Sequence, residues 1–216
     1  MPLTRIGVAE VLVEHEDVVG FLMAEESRNG RTVALPAWKM TTGDRAVADG
    51  VLRAYGGVRR TRGDGRGYDC MLRCDSIAIR VNPRVDITNH LVLRKGEDLV
   101  RVCDGSVLLH LASSSGALCS CPVDAFERRA AARAGTGPKP EVRLTFELAE
   151  GPELGRFSLF SSSWELADSL RRVLPGTDTN VDRVELVLDL HRKQFATRSG
   201  LDVSIVFPAA ASLPSK

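Results

Sequence analysis

The chain has 216 residues, 44% of them hydrophobic, enough to bury one good core or two small ones that share an interface. Lysine and arginine total 29 against 28 aspartates and glutamates, a formal charge of +1, so no global field draws the protein to nucleic acid, a membrane surface or an acidic substrate. No apolar run approaches the roughly 18 residues that span a bilayer, and Glu10, Glu14, His15, Glu16 and Asp17 break up the apolar residues near the start, so no secretory leader is expected and a cytoplasmic protein is.

From Arg31 to Met40, RTVALPAWKM mixes β-formers with Pro36, which predicts a short or edge strand. Thr41 to Asp44 then leads into a helix over Arg45 to Tyr55, where Val47, Val51, Ala54 and Tyr55 fall at helical spacing and Gly56-Gly57 supplies the left-handed stop. Val58 to Gly67 holds three glycines and four arginines, reads as a loop or hairpin tip, and carries the densest positive charge in the chain. Apolar residues alternate from Tyr68 to Val81 and change phase near Asp75, as a bulged strand or two strands would require. Ile87 to Leu93 and Leu99 to Leu111 are further strand candidates.

The second half, Glu141 to Pro208, is better patterned. Val142, Leu144, Phe146 and Leu148 point one way and Arg143, Thr145 and Glu147 the other, which predicts a half-buried strand. Gly151 to Gly155 turns the chain, Phe157 and Leu159 continue on a second strand, and Ser162 with Glu165 reads as a capping box. The helix that follows carries Leu166, Ala167, Leu170, Val173 and Leu174 on one face and stops at Pro175-Gly176. Val184, Leu186, Leu188 and Leu190 alternate again, and Leu201, Val203, Ile205 and Phe207 repeat the pattern after the Thr197 to Gly200 turn, which predicts a hairpin.

AVADGVLRAYGG (Ala46 to Gly57) aligns without gaps on ELADSLRRVLPG (Glu165 to Gly176), and at the same offset Trp38 and Met40 fall on Phe157 and Leu159. The expected fold is therefore α+β: two related strand-helix-strand units, with mostly antiparallel sheets and few helices. The units are an N-terminal one over 1–111 and a C-terminal one over 141–216, joined by a cysteine- and arginine-containing connector over 112–140. A duplication would explain the likeness; so would the general resemblance of amphipathic helices.

No G-x-x-x-x-G-K-[ST], G-x-G-x-x-G, G-x-S-x-G or H-E-x-x-H occurs, and the four histidines are scattered at 15, 90, 110 and 191, so no enzymatic activity is expected. Ser113 to Ser115 reads as a flexible loop, Asp49 and Asp168 as solvated helix residues, and Arg62-Gly63-Asp64 as a charged turn. Cys70 and Cys74, roughly 13 Å apart at strand rise, cannot share a metal and read as half-buried core residues. Cys119-Ser120-Cys121-Pro122 differs, because C-x-C-P in a loop can aim two thiolates at one ion and Cys103 could approach across a hairpin. Zinc wants four ligands, leaving an incomplete set with His110 a poor fourth; buried thiols are the alternative. Arg59, Arg60, Arg62 and Arg66, with Arg128, Arg129 and Arg133 on a predicted basic helix, could touch phosphate, although balanced charge and few aromatics favour solvated faces and little intrinsic DNA affinity.

The order of several short pieces resembles a known family. They are Ala54-Tyr55-Gly56-Gly57 ending a helix, Cys103-Asp104-Gly105, Cys119-Ser120-Cys121-Pro122, Lys139-Pro140-Glu141-Val142-Arg143-Leu144, and Arg156-Phe157-Ser158-Leu159-Phe160-Ser161 with the helix after it. Together they resemble the recombination directionality factors by which some actinobacterial phages redirect their large serine integrases. The chain departs from that pattern at Pro138, where relatives tend to carry a cysteine, which weakens a carried-over metal site. The resemblance implies a non-enzymatic binding protein of the host bacterial cytoplasm. Its partner would be integrase already on DNA, and its effect would be to permit attL by attR excision and disfavour attP by attB integration.

Overall fold

The computed structural model describes residues 17–28, 31–96, 98–109, 115–174, 182–196, 200 and 202–213. In chain order the elements are β1 (Val18–Arg28), β2 (Arg31–Thr42), α1 (Arg45–Tyr55), β3 (Gly57–Thr61), β4 (Tyr68–Leu72), β5 (Ser76–Val81), β6 (Ile87–Lys95) and β7 (Asp98–Cys103). After them come α2 (Ala125–Arg133), β8 (Lys139–Leu148), β9 (Arg156–Ser161), α3 (Trp164–Val173), β10 (Val184–Ala196) and β11 (Asp202–Ser212). The fold is α+β with few helices, and every strand pair is antiparallel except β1 with β9. No helix among the described residues is long and apolar enough to cross a membrane.

All eleven strands join one sheet in the order β11-β10-β5-β8-β9-β1-β2-β4-β3, with β6 pairing β8 and β7 pairing β6. Strands of the 1–111 and 141–216 segments interleave: β1 lies against β9, and β5 lies between β10 and β8. Successive residues of a strand face opposite ways, so the alternation in β8 places Val142, Leu144, Phe146 and Leu148 on one completely buried face. Trp38, Met40, Ile77, Ile79, Phe157, Leu159, Leu186 and Leu188 join them in a shared core. The sheet curls, for β11 approaches β1 and β2, and the Arg192 guanidinium donates to the Pro36 carbonyl at 3.0 Å.

Strand β2 differs from the short or edge strand expected around Pro36: it has 12 residues and lies between β1 and β4. The register explains how proline is tolerated, because pairing jumps from Met23 opposite Lys39 to Glu25 opposite Ala34. Pro36 falls inside that irregularity, where its missing N–H interrupts no ladder. Trp38 sits in the same irregularity, fully buried, donating its indole N–H to the Asp75 carbonyl at 2.9 Å.

Helix α1 buries Val47, Ala48 and Val51 and starts at Asp44, whose carboxylate accepts from the Ala46 N–H at 2.6 Å. It stops at Gly56, φ 66°, whose N–H reaches the Leu52 carbonyl; a Cβ on Gly57 would meet the Met71 carbonyl oxygen, so the chain turns directly into β3. Tyr68 to Val81 forms two strands. The Val58 to Gly67 stretch is β3 plus the tip of the β3–β4 hairpin.

The cap of α3 is Ser163, not Ser162. Ser163 Oγ accepts from the Leu166 N–H at 3.3 Å, while the buried Ser161 still belongs to β9 and accepts from the Ser163 N–H. Asp44 and Ser163 are 119 residues apart, as are Thr42 and Ser161, and Thr42 Oγ1 accepts from the Asp44 N–H at 3.1 Å just as Ser161 Oγ does from Ser163 at 3.1 Å. Further along α3, Ser169 is buried; its hydroxyl donates to the Leu166 carbonyl at 2.9 Å and accepts from the Ala210 N–H at 2.8 Å, tying the helix to β11. The Pro175-Gly176 stop and Thr197 at the β10–β11 turn lie outside the described residues.

Candidate functional site

Three cysteines from two chain segments converge beside β6. Cys103 ends β7 opposite Leu91, and the chain then breaks at Asp104, whose carboxylate accepts from the N–H groups of Ser106 at 2.7 Å and Val107 at 2.8 Å. Those bonds outweigh the upward push of partial burial and hold the Asp104 carboxyl below its usual range. The segment after residue 114 folds back on this turn, with the Cys119 N–H donating to the Ser106 carbonyl at 2.7 Å. The sulfurs of Cys103 and Cys121 are 3.5 Å apart and those of Cys119 and Cys121 2.9 Å apart, and all three lie within 4.8 Å of one another.

Leu91, Leu108 and Trp164 pack around the thiols. Burial pushes Cys121 up to about 12, helped by the neighbouring thiols, and raises Cys103 as well. For Cys119 burial acts in the same direction, but hydrogen bonds from the Cys121 and Cys103 thiols and the Cys121 N–H, with the Arg101 charge, prevail and hold it below its ordinary value. His90, next to Leu91 on β6, faces the opposite side of that strand. His110 lies outside the described residues, and no fourth His, Cys, Asp or Glu joins the trio among the described ones.

Helix α2 is built onto this turn. Asp124 caps it by accepting from the Glu127 N–H at 2.9 Å, and Arg128 donates to the carbonyls of Pro122 at 3.0 Å and Val123 at 3.3 Å. The Arg128 guanidinium also lies against Gly105, where a Cβ would come to 3.0 Å from it. Arg129 bridges to Glu165 at 3.1 Å and Asp168 at 2.7 Å on α3 and lies over the Trp164 ring. Around the turn Leu118, Val123 and Phe126 stand 87%, 94% and 73% exposed.

The arginines separate into engaged and unengaged groups. Arg59 is held by Asp49 and lies over Tyr68, and Arg62 pairs with Asp64 at 3.4 Å inside the hairpin tip. Arg60 and Arg66 make no ion pair among the described residues. Arg133 lies over Phe126. Asp49 and Asp168, expected to be solvated, each anchor an arginine. Cys70 is buried in the main core and Cys74 half-buried at its edge.

One surface has no counterpart in the sequence reading. In the β10–β11 ribbon, the buried face is formed by Leu186, Leu188, Leu190, Pro208 and Ala210, so Val203, Ile205 and Phe207 point away from the core. Their cross-strand partners are Phe195, Lys193 and His191, and His191 stacks on Phe207 with ring centroids 5.8 Å apart. Phe195 is 44% and Ile205 41% exposed. Alternation alone gives no sign of which phase meets the core; the available clue was Arg192-Lys193-Gln194, too polar for strand residues enclosed on both faces.

A family model described as Gp3-like, recombination directionality factor-like, matches residues 16–208. No solved structure matches the chain.

Proposed function

The chain belongs to the Gp3-like, recombination directionality factor-like family, and from that premise we propose that it binds a large serine integrase already seated on DNA. Bound there, it promotes attL by attR excision and disfavours attP by attB integration, acting in the host bacterial cytoplasm. Strand exchange belongs to the integrase; this chain supplies only differential affinity for one synaptic arrangement over another, which suffices to shift the equilibrium between them. The observation that carries the partner surface is the outward face of the β10–β11 ribbon, where Phe195, Val203, Ile205 and Phe207 form an apolar strip with no core to cover it. Little intrinsic DNA affinity is part of the same proposal, because Arg59 and Arg129 are closed onto carboxylates.

Purified protein added to its cognate integrase with attL and attR DNA should raise the yield of excised product. Phe195→Asp with Ile205→Asp should remove most of that stimulation while leaving the circular dichroism spectrum unchanged, since each substitution places an unpaired charge in a dry contact. No stimulation by the unaltered protein would overturn the function; full stimulation by the double variant would overturn the surface. A salt-sensitive gel shift on DNA alone, lost in Arg60→Ala with Arg66→Ala, would instead favour a direct nucleic-acid-binding accessory. We also propose that the two strand-helix units descend from a duplication, supported by the hydrogen bonds repeated 119 residues apart. Superposing 36–55 on 155–174 should align Asp44 with Ser163; an out-of-register superposition would refute common descent.

A further inference from the structure

We propose that Cys103, Cys119 and Cys121 hold a single zinc ion that staples the segment 104–124 to strand β7, with solvent in the fourth coordination position. This goes beyond the recombination role and does not depend on it. Sulfurs about 2.3 Å from a tetrahedral zinc lie about 3.8 Å from each other. The Cys103–Cys121 separation of 3.5 Å is already close to that, and the Cys119–Cys121 separation of 2.9 Å needs an opening of about 0.9 Å, within reach of a side-chain torsion. Three sulfurs form a soft donor set suited to zinc rather than to magnesium or calcium. Cys103 is 0% and Cys121 7% exposed whereas Cys119 is half-buried, so the open position lies on the Cys119 side, toward solvent.

Among its described residues, the segment is held by only a small second cluster and by local hydrogen bonds. Among the described residues, Leu91, Cys103 and Cys121 are buried there, with Leu108, Cys119 and Trp164 partly buried against them, a cluster separate from the main core. Leu118 and Val123 in the segment, and Phe126 just after it, add nothing to that cluster, standing 87%, 94% and 73% exposed. Turn hydrogen bonds, the Arg101–Ser120 bond at 2.6 Å and the packing of Leu108 hold its described residues, and a metal clip closing a loop would add stability chiefly by removing chain entropy from the open state. Through Pro122 and Val123 the clip would also fix Arg128 and the start of α2.

The test uses the full chain purified from zinc-supplemented medium under reducing conditions. Metal analysis should find about one zinc per chain, replacement by cobalt should give thiolate-to-cobalt charge-transfer absorption in the near ultraviolet, and chelation should speed proteolysis within 104–124. Cys119→Ser, at the most exposed of the three positions, should lose the metal while keeping the far-ultraviolet circular dichroism spectrum. Cys74→Ser should retain it. Metal-free protein with chelator-independent proteolysis would overturn the proposal, and so would zinc retained in Cys119→Ser or a Cys119–Cys121 disulfide in the purified protein.

Discussion

Replacing Ser169 by alanine isolates a single buried hydrogen bond. Ser169 is 1% exposed, and its hydroxyl is the acceptor for the Ala210 N–H of β11. Alanine leaves no cavity to speak of, but it strands that N–H beneath α3, at a cost of about 1–3 kcal/mol. The bond from Ser169 to the Leu166 carbonyl is a local back-bond of little net value, and alanine regains roughly 0.5 kcal/mol of helix propensity. The net expectation is a loss of about 1.5 kcal/mol, which in a chain of this size lowers Tm by about 3–6 °C. Urea unfolding should show a lower midpoint at unchanged slope, and hydrogen exchange should speed up first at the Ala210 amide. A change below about 0.5 kcal/mol, with Ala210 exchange unaltered, would mean that another group accepts this N–H and that the tie between α3 and β11 is misread.

The helix caps give a paired expectation: Asp44→Ala and Ser163→Ala should each cost about 1 kcal/mol and add in the double variant, as independent sites do; a negligible cost at either would refute that cap. At Tyr55, burial, reinforced by the Glu150 carboxylate, pushes the hydroxyl from its ordinary 10.0 up to about 12. Because the folded value lies above the unfolded one, its stabilising contribution is complete below pH 10 and drains away as pH climbs toward about 12. Tyr55→Phe should flatten that alkaline decline in urea melts, and parallel declines in the two proteins would refute the assignment.

Much of the fold was legible because local signals agreed with the global one. The helix over Arg45 to Tyr55 had its spacing, the Thr41 to Asp44 entry and its glycine stop, and it forms at those residues. The alternation around Val142 predicts β8, where Val142, Leu144, Phe146 and Leu148 are fully buried. Pro36 misled because a proline is forbidden only where the ladder needs its N–H, and bulges are set by the partner strand. The α3 cap moved by one residue because two serines stand side by side and only the end of β9 decides between them. Interleaving of the two halves in one sheet is a long-range pairing that periodicity does not carry. At the candidate sites, the cysteine convergence was foreseeable from C-x-C and one distant partner. The ribbon face was not, since a period of two fixes which residues share a face and leaves open which face is buried.

The proposed role also has to satisfy an energy requirement, and that requirement constrains how the protein would act. With a formal charge of +1 and arginines such as Arg59, Arg129 and Arg156 closed onto carboxylates, electrostatic attraction to a DNA-bound complex is weak and screened within about 8 Å. Apolar contact must supply the discrimination. Full burial of a large side chain is worth about 1.5–3 kcal/mol, and with Phe195 44% and Ile205 41% exposed each has about 1 kcal/mol left to give. With Val203 and Phe207 the ribbon face amounts to about 3 kcal/mol, roughly 100-fold in preference. Inverting a population from 1:99 to 99:1 takes about 5.5 kcal/mol. One ribbon falls short and two suffice, so complete reversal of direction calls for at least two copies on each recombining assembly. Excision measured against protein concentration at fixed integrase should then rise sigmoidally. A hyperbolic rise to full reversal would mean that one copy is enough, and that a surface beyond the ribbon contributes the missing preference.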